Sequence, residues 1–228
     1  ACGSCFMCDK GLNTQCETTQ VTEQGKGAAL FGYTDLYGSV PGAQAQYLRV
    51  PQAQFGPIVV PEGPPDDRFL FLSDVLPIGE MSCRIAKHLG VERVIGIDLV
   101  ADRLARAAAR GVETVDYRDH KHVAAVVKDM TSGRGADAVI DAVGMEAHGA
   151  PVGKLAHQML GVLPDALGRK IMETAGIDRL GALLPALDMV RRGGTVSLIG
   201  VYGGSADPLP MLDMFDKQIQ LRMGQANV

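Results

Sequence analysis

Apolar residues follow one rhythm in the first third of the chain and another in the rest. Residues 25 to 65 are rich in Gly, Pro and Gln, with short β-prone patches at Gln46 to Val50 and Ile58 to Val60. Turn pairs at Pro41-Gly42 and Glu62-Gly63 separate these patches, which predicts irregular all-β structure. From residue 78 the periods alternate. Met81, Ile85 and Leu89 fall at helical spacing, and Gly90 stops that helix. Arg93 to Asp98 reads as a short buried strand ending in an acid. Ala101 to Arg110 is an Ala-rich helix closed by Gly111, and Glu113 to Tyr117 is a second strand. A helix over His120 to Met130 sets Val123, Val126, Val127 and Met130 on one face, and Ala138 to Val143 and Thr195 to Val201 are the next strands. The connection between them, residues 145 to 192, is longer than one crossover helix requires. Leu155, Met159, Leu163 and Leu167 mark helical faces within it, and Leu180, Leu183, Leu184 and Leu187 a helix ending at Gly193-Gly194. This alternation predicts an α/β domain with a parallel, doubly wound sheet.

Composition narrows the function classes. The chain has 228 residues, 46% of them apolar and 21% charged, which suits one or two folded domains and excludes disorder. No apolar run approaches the roughly 20 residues that span a bilayer, and no signal peptide opens the sequence. The net charge is −4 and Lys and Arg are scattered, so no basic patch is present for nucleic acid. The expectation is a cytoplasmic protein with neither membrane nor nucleic-acid partner.

Four of the five cysteines, Cys2, Cys5, Cys8 and Cys16, follow a C-x2-C-x2-C-x7-C spacing. Four thiolates this close can surround Zn²⁺ at about 2.3 Å and leave no position open to substrate, the arrangement of a structural site. Gly3, Ser4, Gly11 and Asn13 supply the turns such a loop needs. An iron–sulfur run is the near alternative, although the bacterial ferredoxin form has three residues before its last Cys and then Pro; here seven intervene and Glu17 follows. Two disulfides are the other alternative, disfavoured in the cytoplasm. Cys83, alone in a helical pattern, reads as a core residue. Asp98 ends the second strand of a nucleotide-binding unit, where a carboxylate accepts hydrogen bonds from ribose hydroxyls and repels a 2′-phosphate, favouring NAD. Capping of the following helix is its other reading. His88, His120, His122 and His157 have no metal-ligand spacing with a partner acid and are assigned no role; His148, just past a strand end, reads as a surface residue, with a cofactor contact as its other reading.

The segment CGSCFMCDKGLNTQC resembles the structural-zinc lobe of the zinc-dependent medium-chain alcohol dehydrogenases. YGSVPGAQAQYLRVPQAQFGPIVVPEG resembles strands of that family's GroES-like all-β catalytic domain, and GMEAHGAPVGKLAHQML resembles an extra segment of its glutathione-independent formaldehyde dehydrogenase branch. The resemblance implies a partial catalytic domain over residues 1–77 and a Rossmann-type NAD-binding domain over 78–228. In L-S-D-x-x-P it assigns Asp74 to the catalytic zinc, although Asp74 alone reads as a helix cap or surface acid. It also implies cofactor contacts at Gly79, Asp98, Arg103, Val143, Gly200, Val201, Tyr202 and Gln225. The implied reaction is hydride transfer between NAD and a small alcohol or aldehyde hydrate, polarised by zinc, in a homo-oligomer, dimer or tetramer.

One departure is large. The fingerprint G-x-G-x-x-G belongs between a first strand and the Met81 helix. It is absent, since SDVLP runs directly into IGEMSCRIAKHLG and only Gly79 stands where the third glycine belongs. The first strand of the sheet, normally central, is expected to be missing with it. In the resemblance the first two catalytic-zinc ligands precede Ala1. The alternative expectation is therefore a catalytically inactive fragment that retains the structural zinc.

Overall fold

The computed structural model describes residues 1–42, 45–69, 80–143, 180–202 and 209–224. The chain forms two compact units, one built on residues up to Asp74 and the other on Val75–Gly224. No helix among the described residues is long and apolar enough to cross a membrane.

Short turns, not strands, build the first unit. Helix α1 (Phe6–Asp9) is a single turn, followed by 3-10 turns at Asn13–Gln15, Glu17–Thr19, Thr22–Gln24 and Asp35–Tyr37. Its β structure is confined to isolated bridges, Gln20 to Ala28 and Phe31 to Val40. The patches expected to form strands at 46–50 and 58–60 do not: Tyr47, Ile58 and Val59 are almost fully exposed. Pro51, Pro57 and Pro61 flank these patches and remove ladder donors, and a strand without a neighbour leaves its backbone groups to water.

The second unit carries the parallel structure. Its helices among the described residues are α2 (Glu80–His88), α3 (Ala101–Ala108), α4 (Val123–Met130), α5 (Leu183–Met189) and α6 (Met211–Lys217). Its strands are β1 (Ile95–Asp98), β2 (Glu113–Asp116), β3 (Ala136–Asp141), β4 (Val190–Leu198) and β5 (Gln220–Met223). Every pairing is parallel, but the strands form two sheets, β1-β2 and β3-β4-β5. In a Rossmann sheet of order 3-2-1-4-5-6 the first strand separates these two blocks. Among the described residues no strand occupies that position. The split falls at the position where the sequence analysis expects a first strand and glycine turn to be missing.

What joins the blocks is α4. Its apolar face, read from the sequence, buries Val123, Ala124 and Val127 against Ile95, Ile97 and Val115 on one side and Ala136, Val139 and Met189 on the other. A second cluster, centred on Leu183, Leu187, Val196 and Leu198, seats α5 on β3 and β4 and shares Val139 with the first. The opposite face of β3 is bare, with Ala138 exposed and Ile140 49% exposed. A parallel sheet is normally covered on both faces.

Several boundaries differ from the sequence expectation. The helix expected from His120 starts at Val123, because Tyr117–Asp119 form a 3-10 turn fastened by Asp116, whose carboxylate accepts the Arg118 amide at 2.9 Å. Gly193-Gly194, expected to stop a helix, lie inside β4, and α5 ends four residues earlier at Met189. They form a bulge: the β3–β4 register moves from Ala136/Val190 to Ala138/Thr195. A Cβ at Gly194 would lie 2.6 Å from Val190 Cγ2 and 2.9 Å from the carbonyl oxygens of Arg191 and Asp137, so only glycine fits this close approach. Cys83, expected in the core, is half-buried and lines a cavity of about 310 Å³ with Arg84, Lys87 and Arg110. Helix α6 and strand β5 were not anticipated; Met211, Leu212, Phe215 and Met223 are exposed, so no periodic burial marks them.

Candidate functional site

In the first unit the backbone brings four sulfurs together. Cys5 precedes α1, Cys8 lies within it, and the turn at Asn13–Gln15 returns the chain so that Cys16 is fully buried beside Cys2. All four Sγ atoms lie within 4.8 Å of one another. Cys5 and Cys16 Sγ are 4.0 Å apart, about twice a disulfide bond. A tetrahedral zinc site with Zn–S near 2.3 Å needs sulfurs about 3.8 Å apart, so the cluster fits the ion with small adjustment.

The loop also prepares the sulfurs electrostatically. Backbone amides of Cys2, Ser4 and Glu17 donate to the sulfurs of Cys16, Cys2 and Cys5 at 3.3, 3.4 and 3.4 Å. The Thr18 hydroxyl, helped by the Ser4 amide, holds the Cys2 thiol down at about 5, whereas burial pushes Cys8 up to about 11. A bound cation favours the thiolate at every position. Gly3 makes the wrap possible: its φ is +78°, and a Cβ there would meet the Phe55 ring at 2.2 Å. Among the described residues this is the cluster of metal-ligating side chains.

In the second unit Asp98, Val143, Gly200, Val201 and Tyr202 lie at or just past the carboxyl ends of strands, Asp98 in one sheet and the others beside the second. Asp98 closes β1, and its Oδ1 accepts the amides of Leu99 and Val100 at 2.7 and 2.8 Å. Its Oδ2 faces Arg103 Nη1 at 3.6 Å, so both residues expected at the adenosine sit together at the start of α3. One oxygen thus serves the turn while the other faces an exposed guanidinium. Val143 leaves β3, and Gly200, Val201 and Tyr202 leave β4.

Asp141, not singled out from the sequence, ties these two exits together. It is 4% exposed, the buried charged residue of the described core. Its carboxylate accepts the Val143 amide at 2.9 Å and the Tyr202 hydroxyl, and its carbonyl accepts the amides of Ile199 and Gly200, both at 3.0 Å. Burial and the Asp141 carboxylate push the Tyr202 phenol well above its ordinary value. The signal was present: A-V-I-D ends a strand in an acid just as V-I-G-I-D does at Asp98. Asp74, Gly79 and Gln225 lie outside the described residues, as do residues 144–179, with His148, His157 and the helical faces expected there.

Residues 77–159 match the family model described as zinc-binding dehydrogenase. The whole chain aligns at 33% identity with an uncharacterized zinc-type alcohol dehydrogenase-like protein, AdhB, of Bacillus subtilis, covering 63% of that protein. Both matches are to zinc-type dehydrogenases. That alignment runs over 255 positions against 228 residues here, so the relative carries residues with no counterpart in this chain. The structure resembles the alcohol dehydrogenase TADH from Thermus sp. ATN1, with a TM-score of 0.70 and 26% identity over the whole chain and 61% of that enzyme. The formaldehyde branch is more distant: a glutathione-independent formaldehyde dehydrogenase of Bacillus subtilis is 27% identical over 89% of this chain and 50% of its own length. The chain thus spans less than two thirds of the length of these relatives, and it shares the α/β, Rossmann-like fold of the solved enzyme.

Proposed function

We propose that this chain belongs to a zinc-dependent oxidoreductase that transfers hydride between NAD and a small alcohol or aldehyde hydrate. The observation that carries the reading is the four-sulfur cluster, with all Sγ atoms within 4.8 Å and amides aimed at three of them. Cys2, Cys5, Cys8 and Cys16 would hold a structural zinc, closed to substrate, that stabilises the loop. Asp74 would contribute to a separate catalytic zinc. When bound, that ion supplies Lewis-acid polarisation of the substrate and NAD supplies the hydride acceptor. The chain's own share is placement. Asp98 Oδ2 and Arg103 face the ribose and adenine side, and the exits of β3 and β4, with Val143, Gly200, Val201 and Tyr202, form the nicotinamide side. Gly79 and Gln225 complete the contacts. The L-S-D-x-x-P element and the long insert support a formaldehyde dehydrogenase-like branch within the family. Assembly as a homo-oligomer in the cytoplasm accords with this reading.

A second reading is favoured by the split between β1 and β3 together with the absent G-x-G-x-x-G turn. Here the chain keeps the structural zinc and does not turn over. Zinc per chain, measured by mass spectrometry, and alcohol-dependent NAD reduction separate the two. About two zincs with turnover supports the first reading, and about one zinc without turnover the second. No zinc in carefully reduced protein would overturn both.

A further inference from the structure

We propose that Asp141 is the positioning residue of the nucleotide edge, fastening through Tyr202 and the Val143 amide the two loops that leave β3 and β4. This rests on the reading that the carboxyl edge of the sheet takes NAD. The placement is specific. Parallel α/β sheets bind ligands outside the carboxyl ends of their strands, and both loops begin there. Asp141 is the last residue of β3, and its backbone pairs into β4 beside Leu198. Its carbonyl takes the two amides at which β4 turns out of the sheet, Ile199 and Gly200. Its carboxylate then reaches forward along its own loop to Val143 and across to Tyr202, 61 residues away in sequence.

A purely structural acid would be expected to neutralise an opposing cation or to cap a helix. Among the described residues, the Asp141 carboxylate accepts from a phenol and an amide that both lie on loops at the carboxyl edge of the sheet. A buried carboxylate held by such donors is a rigid post, since moving either loop would leave the charge short of partners in a site with little water. Only Asp141 among the described acids is both buried and shared between two loops. Its role acts through Tyr202 and Val143 and not through contact with the cofactor. Loops pre-organised in this way lose less freedom when a ligand arrives.

The test uses the full chain with its metal. The sequence contains five tyrosines and no tryptophan, so phenol absorbance and emission are read without interference. One phenol in the unaltered protein should ionise above the rest in an alkaline titration, and its emission should be quenched by the adjacent carboxylate. Tyr202→Phe should remove that phenol from the titration, and Asp141→Asn should lower its pKa part of the way, because burial still raises it. Hydrogen exchange supplies the second readout, in the absence of nucleotide. Tyr202→Phe should speed amide exchange across Ile199–Tyr202 by about tenfold, as expected for losing one bond to a charged group, and leave β1 and β2 unchanged. Asp141→Asn, which keeps one acceptor oxygen for the Val143 amide and offers an NH2 donor to the Tyr202 oxygen, should restore part of the protection that Asp141→Leu loses. NADH titration is the third readout, with Tyr202→Phe weakening binding about threefold to tenfold through lost pre-organisation. Unchanged exchange in Tyr202→Phe overturns the positioning role, whatever NADH does. Faster exchange in a protein that never binds NADH leaves the fastening in place and overturns the nucleotide reading instead.

Discussion

Cys16 has no exposed surface, and its sulfur takes the Cys2 amide at 3.3 Å while facing Cys5 Sγ at 4.0 Å. It is the cysteine whose position depends on the longest return of the chain, so it closes the loop. Cys16→Ser should lower the zinc content by about one per chain, because a hard, shorter hydroxyl replaces a soft thiolate. Native mass spectrometry reads the loss directly. A zinc content unchanged from the unaltered chain would show that Cys16 is not a ligand. A different residue-scale test concerns Gly194. Two of the atoms its Cβ would meet are backbone oxygens at 2.9 Å, which cannot swing aside. Gly194→Ala should therefore cost about 1–3 kcal/mol, measured as a shift of the urea midpoint at constant slope. The cysteine cluster was legible because ligand spacing is local. Asp141 was not, because its importance arises from Tyr202, far along the chain.

The clearest element-scale outcome is α4. The spacing of its valines alone predicts its buried face, and Val127, 1% exposed, sits at the centre of that face. Because α4 touches both sheet blocks, Val127→Ala should cost about 2 kcal/mol and loosen them together. Hydrogen exchange should rise in β1–β2 and in β3 by similar factors; a rise in one block alone would mean that α4 does not couple them. Lys217 plays the same part at the other end of the unit. It ends α6, and its ammonium donates to the carbonyls of Leu187, Asp188 and Val190 at 2.8, 2.9 and 3.1 Å, where α5 gives way to β4. Lys217→Met keeps the stem but leaves those carbonyls without a partner. It should destabilise the unit by about 1.5–3 kcal/mol in urea unfolding, the range for bonds to a charged donor. Neither α6 nor this cap was visible in sequence, since an exposed seven-residue helix carries no periodic signal and a cap depends on tertiary approach. The strand boundaries failed for a related reason: the β4 bulge is set by packing of β3 against Gly194, not by local propensity.

At the scale of the whole molecule, two features coincide. The sequence carries no G-x-G-x-x-G turn between SDVLP and the Met81 helix, and the described strands form two parallel blocks held by a helix instead of by backbone ladders. The edges of β1 and β3 that face the gap have no strand partner among the described residues, and Ile140 remains half-exposed beside it. A G-x-G-x-x-G turn, absent from this sequence, is what presents backbone amides to a pyrophosphate at a helix N-terminus. Inserting a β-strand and a G-x-G-x-x-G turn ahead of α2 should act on both features together. Amide protection at the free edges of β1 and β3 should rise, because each edge gains a ladder partner. NADH affinity should tighten by at least tenfold over the unaltered chain, about 1.4 kcal/mol, since new amide donors meet the pyrophosphate at a helix N-terminus. Protection without affinity would show that the strand is replaced but the phosphates are bound elsewhere. An unaltered chain that already binds NADH as tightly as the repaired one would remove the reason for regarding it as inactive, and the reading in favour of turnover would then stand.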